Sequence, residues 1–395
     1  MSIKTNHNHT LYASYIGYIT QAIVNCFAPL LFVTFSRQFS LTLDKIALIT
    51  TVNFGVQLLV DLLSARLIDI MGYRTSVVAA HIFSALGLCC LAFLPDMLGY
   101  AGILISTVIY AVGGGIIEVM VSPLVEACPT EKKEAVMSML HSFYCWGYLG
   151  VVLISTAFFK IFGIEHWRTA AVMWAVLPAA NAVYFTQVPI YTVESEKETG
   201  SVKNLFKNRL FLIMMLLMVC AGASELAMSQ WASAFAEKGL GVSKTAGDLA
   251  GPCMFALLMG ISRVIYSKLS EKVSLITALK ICSVLCVITY IAASVVKNPV
   301  INLIGCAACG FTVGVFWPGT YSLGAAKIKG GGTAMFAIMA LGGDIGCVLG
   351  PGVVGFVSQS AGENLKAGLG AAIVFPALIF VGAFLLQFAE KNKTE

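Results

Sequence analysis

The feature that most limits this chain is a series of long apolar runs. With charged residues taken as punctuation, about twelve runs reach the roughly 20 residues that a helix needs to cross the hydrocarbon core of a bilayer. They lie near 11–35, 46–68, 75–94, 98–125, 135–159 and 169–190, then near 209–236, 246–267, 273–296, 299–326, 332–358 and 367–389. Lipid gives backbone N–H and C=O groups no outside partner, so runs of this length must be helices. Composition agrees: 58% of the residues are hydrophobic and 11% are charged. Soluble domains carry about a quarter charged residues, and so apolar a surface could not stay in water. The expected fold class is an all-α membrane protein with twelve transmembrane helices.

Several function classes are excluded at this stage. The formal net charge is +5, but the basic residues are scattered, so no nucleic-acid partner is expected. Most of the 12 Cys lie inside apolar runs, as Cys89, Cys282, Cys306 and Cys309 do, where a free thiol behaves as a small hydrophobe. No spaced Cys/His set marks a metal site, and no cofactor is expected. Gly113-Gly114-Gly115 and Gly330-Gly331-Gly332 lack the Lys-Ser/Thr ending and the preceding strand of a phosphate loop. No nucleophile with its base is apparent, so the chain does not read as an enzyme. Residues 1–10 are polar, with His7 and His9, and show no secretory signal.

The longest polar stretch, 194–208, divides the runs into two sets of six. It predicts an N-terminal bundle over 1–193, a cytoplasmic linker over 194–208 and a C-terminal bundle over 209–395. Lys and Arg in short loops favour both termini inside by about two to one. The halves also read as pseudo-symmetric repeats, as transporter folds commonly do. Ala65-Arg66-Leu67-Ile68-Asp69 ends the second run much as Ser267-Lys268-Leu269-Ser270-Glu271 ends the eighth, which sets Asp61 opposite Arg263. Likewise Gly343-Asp344-Ile345-Gly346 in the eleventh run falls opposite Gly147-Tyr148-Leu149-Gly150 in the fifth.

Ala65-Arg66-Leu67-Ile68-Asp69-Ile70-Met71-Gly72-Tyr73-Arg74 resembles the major facilitator signature between helices 2 and 3, Gly-x-Leu-x-Asp-x-x-Gly-Arg/Tyr-Arg. Two further segments are similar to the fucose–proton symporter family within that superfamily. Gly115-Ile116-Ile117-Glu118-Val119-Met120-Val121-Ser122-Pro123 matches its helix-4 Gly-x-x-Glu-x-x-x-Asn-Pro, with Ser122 in place of Asn. Phe316-Trp317-Pro318-Gly319-Thr320-Tyr321-Ser322-Leu323-Gly324 resembles its helix-10 segment. The family's helix-1 Asp has no counterpart; Asn25, Ala28 and Pro29 stand in that region. The resemblance implies a monomeric secondary transporter in the cell membrane that works by alternating access, with helices 1, 4, 7 and 10 lining a cavity. It also implies that Glu118 couples transport to protons.

Ionisable groups inside a bilayer cost about 2.5–3.5 kcal/mol each on insertion scales and are usually functional. The short list of candidates is Asp61, Glu118, Glu126, Glu225, Arg263 and Asp344, with His81 and His141 as weaker members. Glu118 lies deep in the fourth run and is the leading proton carrier, with Asp61 and Glu225 behind it; the bland role is a protonated acid bonded to a carbonyl. Asn25, Gln230, Trp231, Trp317 and Tyr321 are expected to contact the solute, as is Arg263 if the solute is anionic. A structural ion pair is the competing role for Arg263, because an unpaired buried Arg is so costly. Asp69, Arg74, Arg66 and Glu126 are expected to form a cytoplasmic gate. These residues point to proton-coupled symport of a small polar solute such as a sugar. The rivals are a proton-driven efflux antiporter for an amphipathic compound, suited by the Met- and Phe-rich helices, and a non-transporting membrane sensor.

Overall fold

The computed structural model describes residues 3–130, 133–191, 205–269, 272–328 and 332–394. Among them, twelve helices are long and apolar enough to cross a membrane. They are α1 (His7–Gln38), α2 (Leu43–Leu63), α3 (Tyr73–Leu98), α4 (Tyr100–Glu126), α5 (Met139–Phe162) and α6 (Ile164–Gln187), followed by α7 (Arg209–Gly239), α8 (Lys244–Tyr266), α9 (Leu275–Ser294), α10 (Pro299–Gly324), α11 (Ala337–Ser360) and α12 (Leu365–Phe388). No strand occurs among the described residues. The chain is all-α, as the run lengths require.

Short polar residues set the helix starts. Asn6, Asn208, Ser274, Asn298 and Asn364 each accept a hydrogen bond from a backbone N–H two or three residues on. Such caps satisfy amides that no intrahelical carbonyl can reach. Most of the expected linker, 192–204, lies outside the described residues; 205–208 turn into α7, with Asn208 as its cap.

The chain forms two compact units, Met1–Leu41 with Val52–Ser195, and Thr42–Thr51 with Glu196–Glu395. The first turns of α2 are thus grouped with the second unit. The same packing plan recurs inside each. In the first, α3 packs on α4 and α6, and α1 packs on α4, α5 and α6. In the second, α9 packs on α10 and α12, and α7 packs on α10, α11 and α12. Each pair of the first unit reappears with both members shifted by six, which is the pseudo-symmetry of the fold.

Among the described residues five helices are interrupted: α8 by a π-helical turn over Leu249–Cys253, α12 between Ala371 and Val374, and α1, α7 and α10 as follows. The α-helix of α1 stops at Cys26, passes through a 3₁₀ turn over Ala28–Leu31 that contains Pro29, and resumes at Phe32. That of α7 stops at Ser229, and a π-helical turn follows over Phe235–Gly239. In α10 the break lies at Gly314 and Val315, between Pro299–Val313 and Phe316–Lys327. Broken backbone inside a membrane persists only where protein or a polar cavity serves its freed groups, so each interruption marks a place to search for a site.

Candidate solute and proton sites

In the first unit, polar residues recur at a spacing of four. Gln21 and Asn25 share one face of α1, Asn53, Gln57 and Asp61 share one face of α2, and Glu118 and Ser122 share one face of α4. The four amides are at most 5% exposed. Asn25 Oδ1 accepts from Asn53 Nδ2 at 3.0 Å and from Gln57 Nε2 at 2.8 Å. Gln21 Nε2 donates to Glu118 Oε2 at 2.6 Å, and the hydroxyls of Tyr18 and Ser122 are 3.0 Å apart. Two of the α4 glycines admit this network. A Cβ on Gly114 would stand 3.0 Å from Val24 and 3.4 Å from the Gln57 amide, and one on Gly115 would stand 3.0 Å from Gln57 Cα.

The shared acceptor fixes which way the amides point. Asn53 and Gln57 both turn their nitrogens to Asn25, and Gln21 turns its nitrogen to Glu118, so their oxygens face elsewhere. Gln21 Oε1, Asn53 Oδ1 and Gln57 Oε1 find no donor among the described residues. A buried acceptor left without a donor costs about 1–3 kcal/mol. Such oxygens therefore suit a ligand that brings hydroxyl or N–H donors.

His81 belongs to the structure of the first unit. It is fully buried, with Nε2 2.8 Å from Asn181 Nδ2 and Nδ1 2.7 Å from the Val77 carbonyl. Because the amide nitrogen is a donor, Nε2 accepts and Nδ1 carries the proton, which describes a neutral, satisfied imidazole. His141 stands edge-on to Tyr18, with ring centroids 5.3 Å apart.

In the second unit the polar groups are charged and aromatic. Arg263 Nη2 on α8 lies 4.0 Å from Glu225 Oε2 on α7, with side-chain exposures of 26% and 13%. Arg263 Nε donates to the carbonyl of Gly314 at 3.3 Å, at the interruption of α10. One turn further along α10, Trp317 stacks on Tyr321 with ring centroids 6.2 Å apart and planes 27° apart. Both rings are half-buried. Trp231 is fully buried, and its Nε1 donates to the carbonyl of Pro351 at 3.0 Å; Gln230 is also buried. Asp344 is buried on α11.

The sequence profile of the Major Facilitator Superfamily matches residues 14–351. The chain belongs to this superfamily. Its fold is shared by a bacterial homologue of the human lysosomal transporter Spinster in an inward-facing, unoccupied conformation, at 14% identity and a TM-score of 0.79 over 97% of each chain. It is shared by the nucleoside transporter NupG at 13% identity and a TM-score of 0.75, over 96% of this chain and 99% of the other. The E. coli fucose:proton symporter FucP aligns at 14% identity and a TM-score of 0.62, over 98% of this chain and 99% of its own. No curated protein sequence matches the chain.

Of the superfamily signature, Arg74 is described in full. It is exposed at the start of α3 and donates through Nη1 to the carbonyls of Phe185 and Thr186 at 2.8 and 3.0 Å. These carbonyls belong to the last turn of α6, where a cation is favoured by the helix dipole. The side chains of Arg66 and Asp69 lie outside the described residues, and Glu126 is exposed at the end of α4.

Two groups escaped the sequence reading. Gln21, Asn53 and Gln57 surround Asn25 and Glu118, and their signal was a polar residue every fourth position in an apolar run. On α8, Asp248 is 1% exposed; its Oδ2 lies 2.7 Å from Lys244 Nζ, and its Oδ1 accepts from Ser233 Oγ at 2.5 Å. Lys244 falls just outside the apolar run near 246–267, and nothing in the sequence ties Asp248 to it.

Proposed function

We propose that this protein is a secondary active transporter that carries a small polar solute together with protons. The supporting observation is the 2.6 Å bond between Gln21 on α1 and Glu118 on α4, beside buried amides whose oxygens need donors. Glu118 is half-buried, so its charge is only partly hydrated, and a proton gained or lost there changes the strength of its bond to α1. A carboxyl that gains water when the protein opens to one side can release its proton there, which couples protonation to alternating access. A polyhydroxylated solute such as a sugar supplies the donors that the amide oxygens lack. FucP, by its name a fucose:proton symporter, has the same fold.

The protein resides in the cell membrane as a monomer, with 1–193 and 209–395 as its two bundles and both termini in the cytoplasm. The excess of basic residues in the loops on that side supports the orientation. Arg74, with Asp69, Arg66 and Glu126, forms the cytoplasmic gate.

Glu118→Gln keeps the size of the side chain and mimics the protonated acid. In proteoliposomes it should retain solute binding and counterflow but lose at least about tenfold of pH-driven accumulation. Full accumulation by Glu118→Gln would show that Glu118 is only a structural hydrogen bonder.

A further inference from the structure

We propose that the protein binds an anionic phospholipid at the ends of α9, α10 and α12, with the phosphate in a basic cavity and an acyl chain along a ladder of phenylalanines on α12.

The cavity measures about 300 Å³ and is lined by Ser274 and Thr277 at the start of α9, Leu323 and Lys327 at the end of α10, and Gln387 at the end of α12. That volume is large enough for a headgroup. The lining residues are the end residues of three membrane spans or lie just beyond them, so the cavity sits at the depth of lipid headgroups rather than in the hydrocarbon.

Its chemistry favours an anion. Lys280, one turn into α9 from Ile276, donates from Nζ to Gln387 Oε1, which leaves the Gln387 NH₂ group to face another way. Lys327 adds a second ammonium to the lining, and the Ser274 and Thr277 hydroxyls are 2.9 Å apart. An ammonium has three N–H donors and no acceptor, so Lys280 can hold Gln387 and a phosphate oxygen together. The spans of α9, α10 and α12 contain no Asp or Glu. A phosphate diester offers acceptors on several sides, and its bonds to ammonium groups are charge-assisted.

The surface that leads away from the cavity makes the anion a lipid. Phe380, Phe384 and Phe388 stand on successive turns of α12, with ring centroids 6.2 and 5.2 Å apart, and all three are exposed. On α9, which packs on α12, Ile281 and Ile288 are exposed as well. Lys280 Nζ lies 5.3 Å from the centre of the Phe384 ring and reaches from there to Gln387. Its stem thus lies on the ladder while its charge turns to the span end, as snorkelling lysines do. Phe388 follows Gln387, and Phe380 lies about 12 Å deeper along the helix. An acyl chain gains contact with every ring of the ladder, whereas a free phosphate gains none.

The lipid also bears on the interrupted helix. The segment of α10 that ends at Lys327 begins after the break at Gly314 and Val315, and it carries Trp317 and Tyr321. A phosphate shared by Lys327, Lys280 and Gln387 ties that segment to α9 and α12. With both termini in the cytoplasm, as proposed, these span ends lie in the cytoplasmic leaflet, where anionic lipids attract basic residues.

The test uses the full-length protein, delipidated in neutral detergent. The probes are dioleoylphosphatidylglycerol, its zwitterionic counterpart dioleoylphosphatidylcholine, and glycerol 3-phosphate as a headgroup without chains. Binding is read from native mass spectrometry and from thermal shift. Phosphatidylglycerol should bind at least about tenfold more tightly than phosphatidylcholine and raise the unfolding temperature, and glycerol 3-phosphate at the same concentration should do neither. Lys280→Gln combined with Lys327→Gln should abolish the preference, while Lys280→Arg with Lys327→Arg should keep it. Lys160→Gln, on α5 of the other unit, should behave as the wild type. A phosphatidylglycerol with a diazirine in its acyl chain should label the wild-type protein within 281–288 and 380–388, a readout that stands even if the double Gln variant does not fold. Equal binding of the two lipids, an undiminished preference in the double Gln variant, or labels confined to other helices would each overturn the inference. Glycerol 3-phosphate binding as tightly as phosphatidylglycerol would overturn the lipid and make the cavity a site for free phosphate.

Discussion

The two units share a packing plan and differ in chemistry. In the first, α1, α2 and α4 meet through neutral amides, with Glu118 held by one of them. In the second, α7, α8 and α10 meet through an Arg–Glu pair and a backbone carbonyl. Neutral amides can be buried almost completely, because hydrogen bonds replace nearly all that water supplied. The charges of Arg263 and Glu225 stay partly exposed, because desolvating a charge costs more than one distant partner returns. Repetition of a fold therefore does not repeat its sites. Helix packing tolerates any residue of the right size, whereas a polar group must be satisfied individually.

The largest expected effect breaks the symmetry at the glycines. Gly346 and Gly150 fall opposite each other in the sequence repeat, yet a Cβ on Gly346 would fall 2.0 Å from the Val219 carbonyl oxygen, while one on Gly150 would meet nothing within 4 Å. Backbone cannot move aside as a side chain can. Gly346→Ala should thus cost about 3 kcal/mol or more, seen as a large drop in yield of monodisperse protein and in unfolding temperature. Gly150→Ala should match the wild type in both measurements. Equal behaviour of the two variants would mean that α7 and α11 approach less closely at Gly346 than 2.0 Å implies.

A smaller loss is expected from Asn25→Leu. Asn53 would keep a buried amide nitrogen without its acceptor, at a cost of about 1–3 kcal/mol before relaxation, and Gln57 would keep only its 3.4 Å bond to the Asn53 carbonyl. Chemical denaturation in detergent should show a lower midpoint, and solute binding should weaken if the amide oxygens serve the solute. An unchanged midpoint would argue that water enters this network freely. The smallest effect is expected from Trp231→Phe in the second unit. It removes one hydrogen bond to Pro351, worth about 1 kcal/mol, and it retains the aromatic bulk. A thermal shift of a few degrees with normal solute affinity would mark Trp231 as a packing residue, while a large loss of affinity would return it to the solute site.

Much of this could be read before any fold was known. The glycines of α4 stood out in sequence, but that Gly113 faces the Ala80 carbonyl while Gly114 and Gly115 face α1 and α2 could not be foreseen. Trp231 appeared as a platform for a solute, and it lies fully buried against Pro351. The repeat makes Arg263 the counterpart of Asp61, and within its own unit Arg263 stands 4.0 Å from Glu225. In each case the residue and its helix were legible, and the partner was not.

The sequence by itself determined that this chain is a twelve-helix membrane protein of the major facilitator type. Lipid offers the backbone no alternative to helix, and the length of each apolar run is set by the thickness of a bilayer. It also set which polar residues share a helical face, because a spacing of four is one turn. Which faces meet, and therefore which acid sits beside which base or amide, was decided only in the tertiary structure. That choice depends on side-chain volumes and close backbone approaches between helices far apart in sequence, where a single Cβ at Gly346 or Gly113 would forbid the contact.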